Sequence, residues 1–164
     1  MSELPADARA VVVTASNRAA AGVYADRSGP VLVEGLTALG FAVDGPHVVP
    51  DDLDVLIAAL RDAVDGGADV VVTTGGTGLS PTDVTPEATR AVLERDAPGL
   101  AEALRRYGER QVPTAVLSRG VVGTAGRTLV VNLPGSTGGV RDGLAVLGPL
   151  LPHIVSQLRG GSHA

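Results

Sequence analysis

Asp69-Val70-Val71-Val72-Thr73-Thr74-Gly75-Gly76-Thr77-Gly78 is the stretch on which the fold turns. Its first half is a short, nearly unbroken β-prone apolar run, the pattern of a strand covered on both faces in a parallel sheet, and the glycines end it abruptly. Upstream, Ala10-Val11-Val12-Val13-Thr14 has the same character, and Phe41-Ala42-Val43 and Thr128-Leu129-Val130-Val131-Asn132 are also strand-length. Helical patterns fill the intervals. Pro30 to Leu39 ends at Gly40, with Ser28 as the expected N-cap. Leu53, Leu56, Ile57, Leu60 and Val64 recur at helical spacing, opened by Asp51 or Asp52 and closed by Gly66-Gly67. A third helix starts at Thr85-Pro86-Glu87, with Thr as cap, and runs to about Glu94. Others are expected from Pro98 to about Gly108, from about Gly138 to Leu147 and from Pro149 to about Leu158, the last two merged or kinked. Val121 to Val131 reads as a hairpin turning at glycine. Strands alternating with helices predict an open α/β fold, its mostly parallel sheet carrying one antiparallel hairpin strand.

The chain is 164 residues, the length of one domain spanning 1–164 and enough to bury roughly 70% of the unfolded surface. Its 22 glycines and 11 prolines stay below the roughly 25–30% that marks low-complexity disorder. There is no cysteine, which excludes disulfide scaffolds, thiolate nucleophiles and the common zinc cages. All 13 basic residues are Arg, so Schiff-base chemistry and a P-loop lysine are excluded too. A net charge of −5 leaves no basic face for a duplex, and three aromatics, Tyr24, Phe41 and Tyr107, leave little for stacked bases, so no nucleic acid partner is expected. The apolar run from Gly143 to Val155 is broken by Pro149, Pro152 and His153 and is too short to span a bilayer, so no membrane partner is expected. No basic-then-apolar leader is visible at the N-terminus, which places the expectation in the cytoplasm. The tail from Arg159 to Ala164 is expected to fray.

Ligands of open α/β sheets bind beyond the carboxyl ends of the strands, so the loops there are the candidates. These are Ser16-Asn17-Arg18, Pro50-Asp51-Asp52, Thr74 to Gly78, and Leu133-Pro134-Gly135-Ser136. The Gly loop offers backbone N–H groups that can approach an anion and hydroxyls that can bond phosphate or ribose; a plain strand-to-helix turn is the equal alternative. The dinucleotide fingerprint is missing. Asp51 and Asp83 are the carboxylates chosen for a Mg²⁺, which is usually held by one or two carboxylates plus substrate phosphates, while Asp52 is assigned to the helix cap. Asn132 to Ser136 reads as the second half of a pocket, and Ser118-Arg119 as ordinary surface. His47, His153 and His163 show no metal spacing and no paired acid.

The ordered set Thr73-Thr74-Gly75-Gly76-Thr77-Gly78, Asp83-Val84-Thr85-Pro86-Glu87-Ala88, Pro98-Gly99, Ser118-Arg119 and Asn132-Leu133-Pro134-Gly135-Ser136 closely resembles the MogA/MoaB-like molybdopterin-binding family across nearly the whole chain. That resemblance implies a three-layer α/β/α domain acting as a homotrimer in molybdenum cofactor biosynthesis. Its catalytic members transfer AMP from Mg-ATP to the terminal phosphate of molybdopterin and release pyrophosphate. Carried over residue by residue, it makes Asp51 and Asp83 the catalytic and Mg²⁺-binding aspartates. The nucleotide falls to Thr74, Gly75, Gly76, Thr77 and Gly78 with Pro134 and Gly135. The family's pterin-binding Ser and Asn fall on Ser118 and Asn132, and Ser16, Arg18 and Ser136 of the strand-end loops are assigned to the substrate beside them. It also implies a possible hand-over to a molybdate-inserting protein. Three positions depart from the common pattern: Thr82 stands where many members have Arg, Asn17 where many have Asp, and Ser136-Thr137 follows Pro-Gly as in the MoaB branch. A molybdopterin-binding or carrier protein without catalysis, and an enzyme of the same fold acting on another phosphorylated substrate, are the alternatives.

Overall fold

The computed structural model describes residues 3–161. Its six strands are β1 (Arg9–Ala15), β2 (Ala42–Val49), β3 (Val70–Thr74), β4 (Arg95–Asp96), β5 (Val122–Ala125) and β6 (Thr128–Leu133). They form one sheet in the order β2-β1-β3-β6-β5-β4. The first four in that order run parallel, while β5 pairs antiparallel with β6 on one side and with β4 on the other. The mixed sheet with its hairpin strand is as the sequence predicts; β4 is an addition. No two-residue strand could be read from composition, because its pairing with Thr124 and Gly123 is what defines it.

The helices are α1 (Asn17–Ala20), α2 (Ser28–Ala38), α3 (Leu53–Asp65), α4 (Thr85–Val92), α5 (Pro98–Glu109), α6 (Thr137–Leu147) and α7 (Leu151–Leu158), with a 3-10 turn at Pro113–Leu117. Strand alternation sends side chains to two cores. Val12, Val70, Val72, Leu129, Val131 and Leu133 pack with Leu32, Leu36, Val140, Leu147 and Leu151 from α2, α6 and α7. Val13, Val71 and Val130 pack with Leu56, Leu60 and Ala88 from α3 and α4 on the other face. Helices therefore cover both sides of the sheet, and no helix among the described residues is long and apolar enough to cross a membrane.

Local departures from the sequence reading have identifiable causes. Ser28 is the first residue of α2 and not its cap: Asp26 Oδ1 accepts from the Gly29 N–H at 3.0 Å instead, and Ser28 Oγ lies 3.0 Å from Thr74 Oγ1. Thr85 likewise lies inside α4 and supplies no side-chain cap. That helix stops at Val92, short of Glu94, as the chain turns into β4. Asp52 caps α3 as expected, accepting from Val55 N–H at 3.0 Å. Helices α6 and α7 are separate, α7 starting at Leu151 with Pro152 in its first turn. Phe41 stands outside β2, which extends to Val49. His47 does have a paired acid, Asp44 at 3.1 Å on an exposed stretch of β2. The C-terminal tail is held at its first residue, where Arg159 Nε and Nη2 donate to Asp69 and Nη1 donates to Asp7. His163 lies outside the described residues.

Candidate functional site

Register places the strand ends side by side: Ala15 opposite Val49, Thr14 opposite Thr74, and Thr74 opposite Leu133. Strand β1 separates β2 from β3, and from β3 the sheet grows the other way, so a crevice opens where the order reverses. Gly75 sits in it with φ +94°, its N–H donating to the Leu133 carbonyl at 3.1 Å; a Cβ there would collide with the Ala15 carbonyl oxygen. Only glycine lets three strand ends converge so closely.

Beyond Gly75 opens a cavity of about 600 Å³, lined among others by Gly76, Thr77, Gly78, Asp83, Ser118, Asn132, Pro134, Gly135 and Ser136. Among the described residues, the N–H groups of Gly76, Thr77, Gly78, Gly135 and Ser136 donate to no protein acceptor. Five unspent donors around one cavity are what an anion with several oxygens requires. The far wall is apolar, with Ala101, Leu104, Val112, Ala115 and Leu117, and Arg105 is the one cation in this lining against Asp83 and Asp142.

Asp51 lies behind Gly76, outside the cavity lining. Its backbone N–H donates to Asn17 Oδ1 at 2.8 Å, and its Oδ2 accepts from the Asn17 N–H at 3.1 Å. Asn17 thus keeps the acceptor that an Asp would supply, without adding a charge beside Asp51. The other oxygen, Asp51 Oδ1, is buried with no hydrogen-bond partner among the described residues, and so is Thr85 Oγ1. Both face Gly76: a Cβ on that residue would stand 3.1 Å from Asp51 Oδ1 and would collide with Thr85 Oγ1. Burial pushes the Asp51 carboxyl above the ordinary carboxylate range; the Asn17 bond pulls it down and the nearby Asp83 charge pushes it up again. Asp83 is fixed by its own turn, its Oδ2 accepting from Ser80 N–H at 3.1 Å. Thr82 pairs with Ser80 Oγ and brings no cation to this rim.

Other candidates are spoken for. Thr74 is fully buried, and its hydroxyl donates to the Pro134 carbonyl at 2.7 Å, tying the two strand-end loops together. Asn132 is also buried, and its amide is saturated: Nδ2 donates to Thr73 Oγ1 at 3.0 Å and Thr89 Oγ1 at 2.9 Å, while Oδ1 accepts from Val121 N–H at 3.1 Å. It shapes the cavity floor and has no amide proton to spare for a ligand. Ser16 caps α1 through the Ala19 N–H, and exposed Arg18 stands with it outside the cavity lining. Ser136 caps α6 through the Gly139 N–H, yet also faces the cavity. Ser118 Oγ accepts from Gly120 N–H at 3.2 Å, which leaves its own proton to give.

The residue that sequence reasoning passed over is Arg119. Its side chain donates to the Gly78 and Asp83 carbonyls at 2.9 and 2.8 Å and to both oxygens of Glu87. The sequence offers it only as half of Ser118-Arg119, which reads as ordinary surface, because every partner of its side chain lies 32 or more positions away.

A family profile described as "Probable molybdopterin binding domain" matches residues 11–153. The chain is 38% identical over 156 residues to the molybdenum cofactor biosynthesis bifunctional protein of Chlorobaculum tepidum, covering 95% of this chain and 50% of that protein. It is 38% identical over 155 residues to the molybdopterin adenylyltransferase of Helicobacter pylori strain J99, covering 91% and 86%. Thus it spans about half the length of the bifunctional relative and most of the shorter one. The solved molybdopterin biosynthesis Mog protein of Mycobacterium ulcerans superposes with a TM-score of 0.87 at 53% identity, over 92% of this chain and 99% of that one.

Proposed function

The chain belongs to this family of molybdopterin-binding domains of molybdenum cofactor biosynthesis, and from that membership we propose that it transfers AMP from ATP to the terminal phosphate of molybdopterin. The observation that carries the reading is the pairing of five uncommitted backbone N–H groups with a buried, unpartnered carboxylate oxygen at one strand-end rim. The N–H groups of Gly76, Thr77 and Gly78, with those of Gly135 and Ser136, hold the phosphates, and the apolar wall takes a ring. In the transfer, a terminal phosphate oxygen of molybdopterin bonds to the α-phosphorus of ATP. The bond from that phosphorus to the bridging oxygen breaks, and pyrophosphate leaves with the electron pair. No general base is needed, because a phosphate monoester is already ionised near neutral pH. The chain's work is orientation and charge placement.

With one Arg against two carboxylates in the lining, the protein alone does not balance a triphosphate. Asp51 and Asp83 fit a Mg²⁺: one oxygen of Asp51 is orphaned and shut from solvent, and the two carboxylates feel each other's charge. When bound, the ion offsets charge on the α-phosphate and on the departing pyrophosphate. Ser118 and Ser136 orient the molybdopterin. A homotrimer, a cytoplasmic setting and delivery of the product to a molybdate-inserting protein belong to the same reading.

Pyrophosphate release from wild type and Asp83→Asn, mixed with Mg-ATP and molybdopterin, tests it. The variant keeps an oxygen for the Ser80 N–H and should fold normally, while turnover falls by about 10²–10³-fold, the scale of losing one aimed electrostatic group. Near-normal transfer in Asp83→Asn rejects the assignment. Molybdopterin binding by wild type without pyrophosphate release identifies a carrier that catalyses nothing.

A further inference from the structure

We infer that Arg119 is a positioning residue, a clamp that sets where Asp83 and the Gly76–Gly78 cradle stand relative to the Ser118–Gly120 segment; the inference rests on the proposed reading of that cradle. Its backbone N–H donates to the Thr77 carbonyl at 2.8 Å. Nε donates to the Gly78 carbonyl at 2.9 Å and Nη2 to the Asp83 carbonyl at 2.8 Å. Nη1 reaches Glu87 Oε2 at 2.7 Å and Nη2 reaches Oε1 at 3.2 Å, a two-point grip on the first turn of α4. Four of the five guanidinium N–H groups therefore hold protein, and the side chain is a fastener more than a ligand contact.

The segment between the two gripped carbonyls otherwise has only its own internal turn: Ser80 N–H to Asp83 Oδ2, Asp83 N–H to Ser80 O, and the contact of Ser80 with Thr82. Leu79 at its tip is 66% exposed and anchors nothing. Remove the guanidinium and the turn that carries Asp83 survives, but its seat against the cradle is lost. On the other side, Arg119 is flanked by Ser118 and Gly120, both in the cavity wall, and Gly120 is itself fixed by Arg105 Nη1 at 2.8 Å on its carbonyl. One side chain thus links the wall at Ser118 to the carboxylate at Asp83. Lysine cannot replace it, since a single ammonium cannot reach two carbonyls and grip a carboxylate in one plane.

The test compares wild type, Arg119→Lys, Glu87→Gln and the double variant in the full chain. Three readouts are used: melting temperature, amide hydrogen exchange by segment, and steady-state transfer with KM and kcat separated. For Arg119→Lys we expect faster exchange confined to the bonded amides of this seat, Ser80, Asp83, Thr85 and Arg119, and a kcat lowered about 100-fold, the effect of a displacement of about 1 Å. KM for molybdopterin should stay within about twofold and the melting temperature nearly unchanged, because the pair is 36% and 47% exposed. Glu87→Gln keeps both backbone bonds and should lose about tenfold less, and the double variant should match Arg119→Lys, because Glu87 acts only through Arg119. Wild-type exchange at those four amides in Arg119→Lys overturns the clamp whether or not the chain transfers AMP. So does faster exchange spread over the whole sheet, which marks a general stabiliser. Loss of transfer in wild type, with exchange in the variant confined as expected, would instead remove the proposed reaction and leave the clamp standing.

Discussion

Asp51 concentrates a conflict within one side chain. One oxygen is bonded to Asn17, the other is buried without a partner, and burial together with the Asp83 charge raises its pKa in the folded chain. A carboxyl whose pKa is raised by folding holds its proton longer in the native state, so its ionisation opposes folding. The penalty is absent below the unfolded pKa of about 3.9, grows as pH rises past it, and is complete above the folded value. Asp51→Asn should therefore melt higher than wild type at pH 7 in metal-free buffer, by roughly 2 °C, with the gap closing below about pH 4. Equal melting temperatures at both pH values would contradict the account. The two aspartates were legible in sequence because they sit in the loops that follow a strand or open a helix. Their electrostatic conflict was not, because it depends on Gly76 and Thr85, 25 and 34 positions from Asp51.

Strand β6 shows the same division at the scale of an element. Its apolar run and the hairpin before it were readable, and both stand where the periodicity put them. The role of its Asn132 was not, since its amide partners Thr73, Thr89 and Val121 come from β3, α4 and the approach to β5. That amide locks three elements under the cavity. Asn132→Ala would strand the Val121 N–H and remove the donor to two buried hydroxyls, at a cost of about 3 kcal/mol, measured by urea unfolding. A cost below about 0.5 kcal/mol would mean the network closes without it. Strand β4 and helix α1 were invisible for the opposite reason: each is too short to carry a period, and each exists because its neighbours are in place.

Across the whole molecule, the parallel order makes a single rim out of segments spread from residue 16 to residue 136, and the sequence could identify that rim once the strands were assigned. The two ends of the described chain are joined on the opposite side. Arg159 bonds Asp69 and Asp7, and Asp69 also accepts from the Arg9 N–H at 2.9 Å. Burial raises the Asp69 carboxyl, but the bonds from Arg159 and Arg9 outweigh it and the net shift is downward. This fastening is therefore intact above about pH 4 and is lost as acid protonates the group. It stabilises the sheet at the end remote from the cavity, away from the strand-end rim proposed to carry the chemistry. The most direct test of that division is paramagnetic broadening of backbone amide signals by Mn²⁺ bound with a non-hydrolysable ATP analogue. Broadening is expected only at Gly76, Thr77, Gly78, Gly135 and the neighbours of Asp51 and Asp83. Broadening centred elsewhere, such as around Asp44 of β2 and Asp62 of α3, or none at saturating nucleotide, would contradict that division.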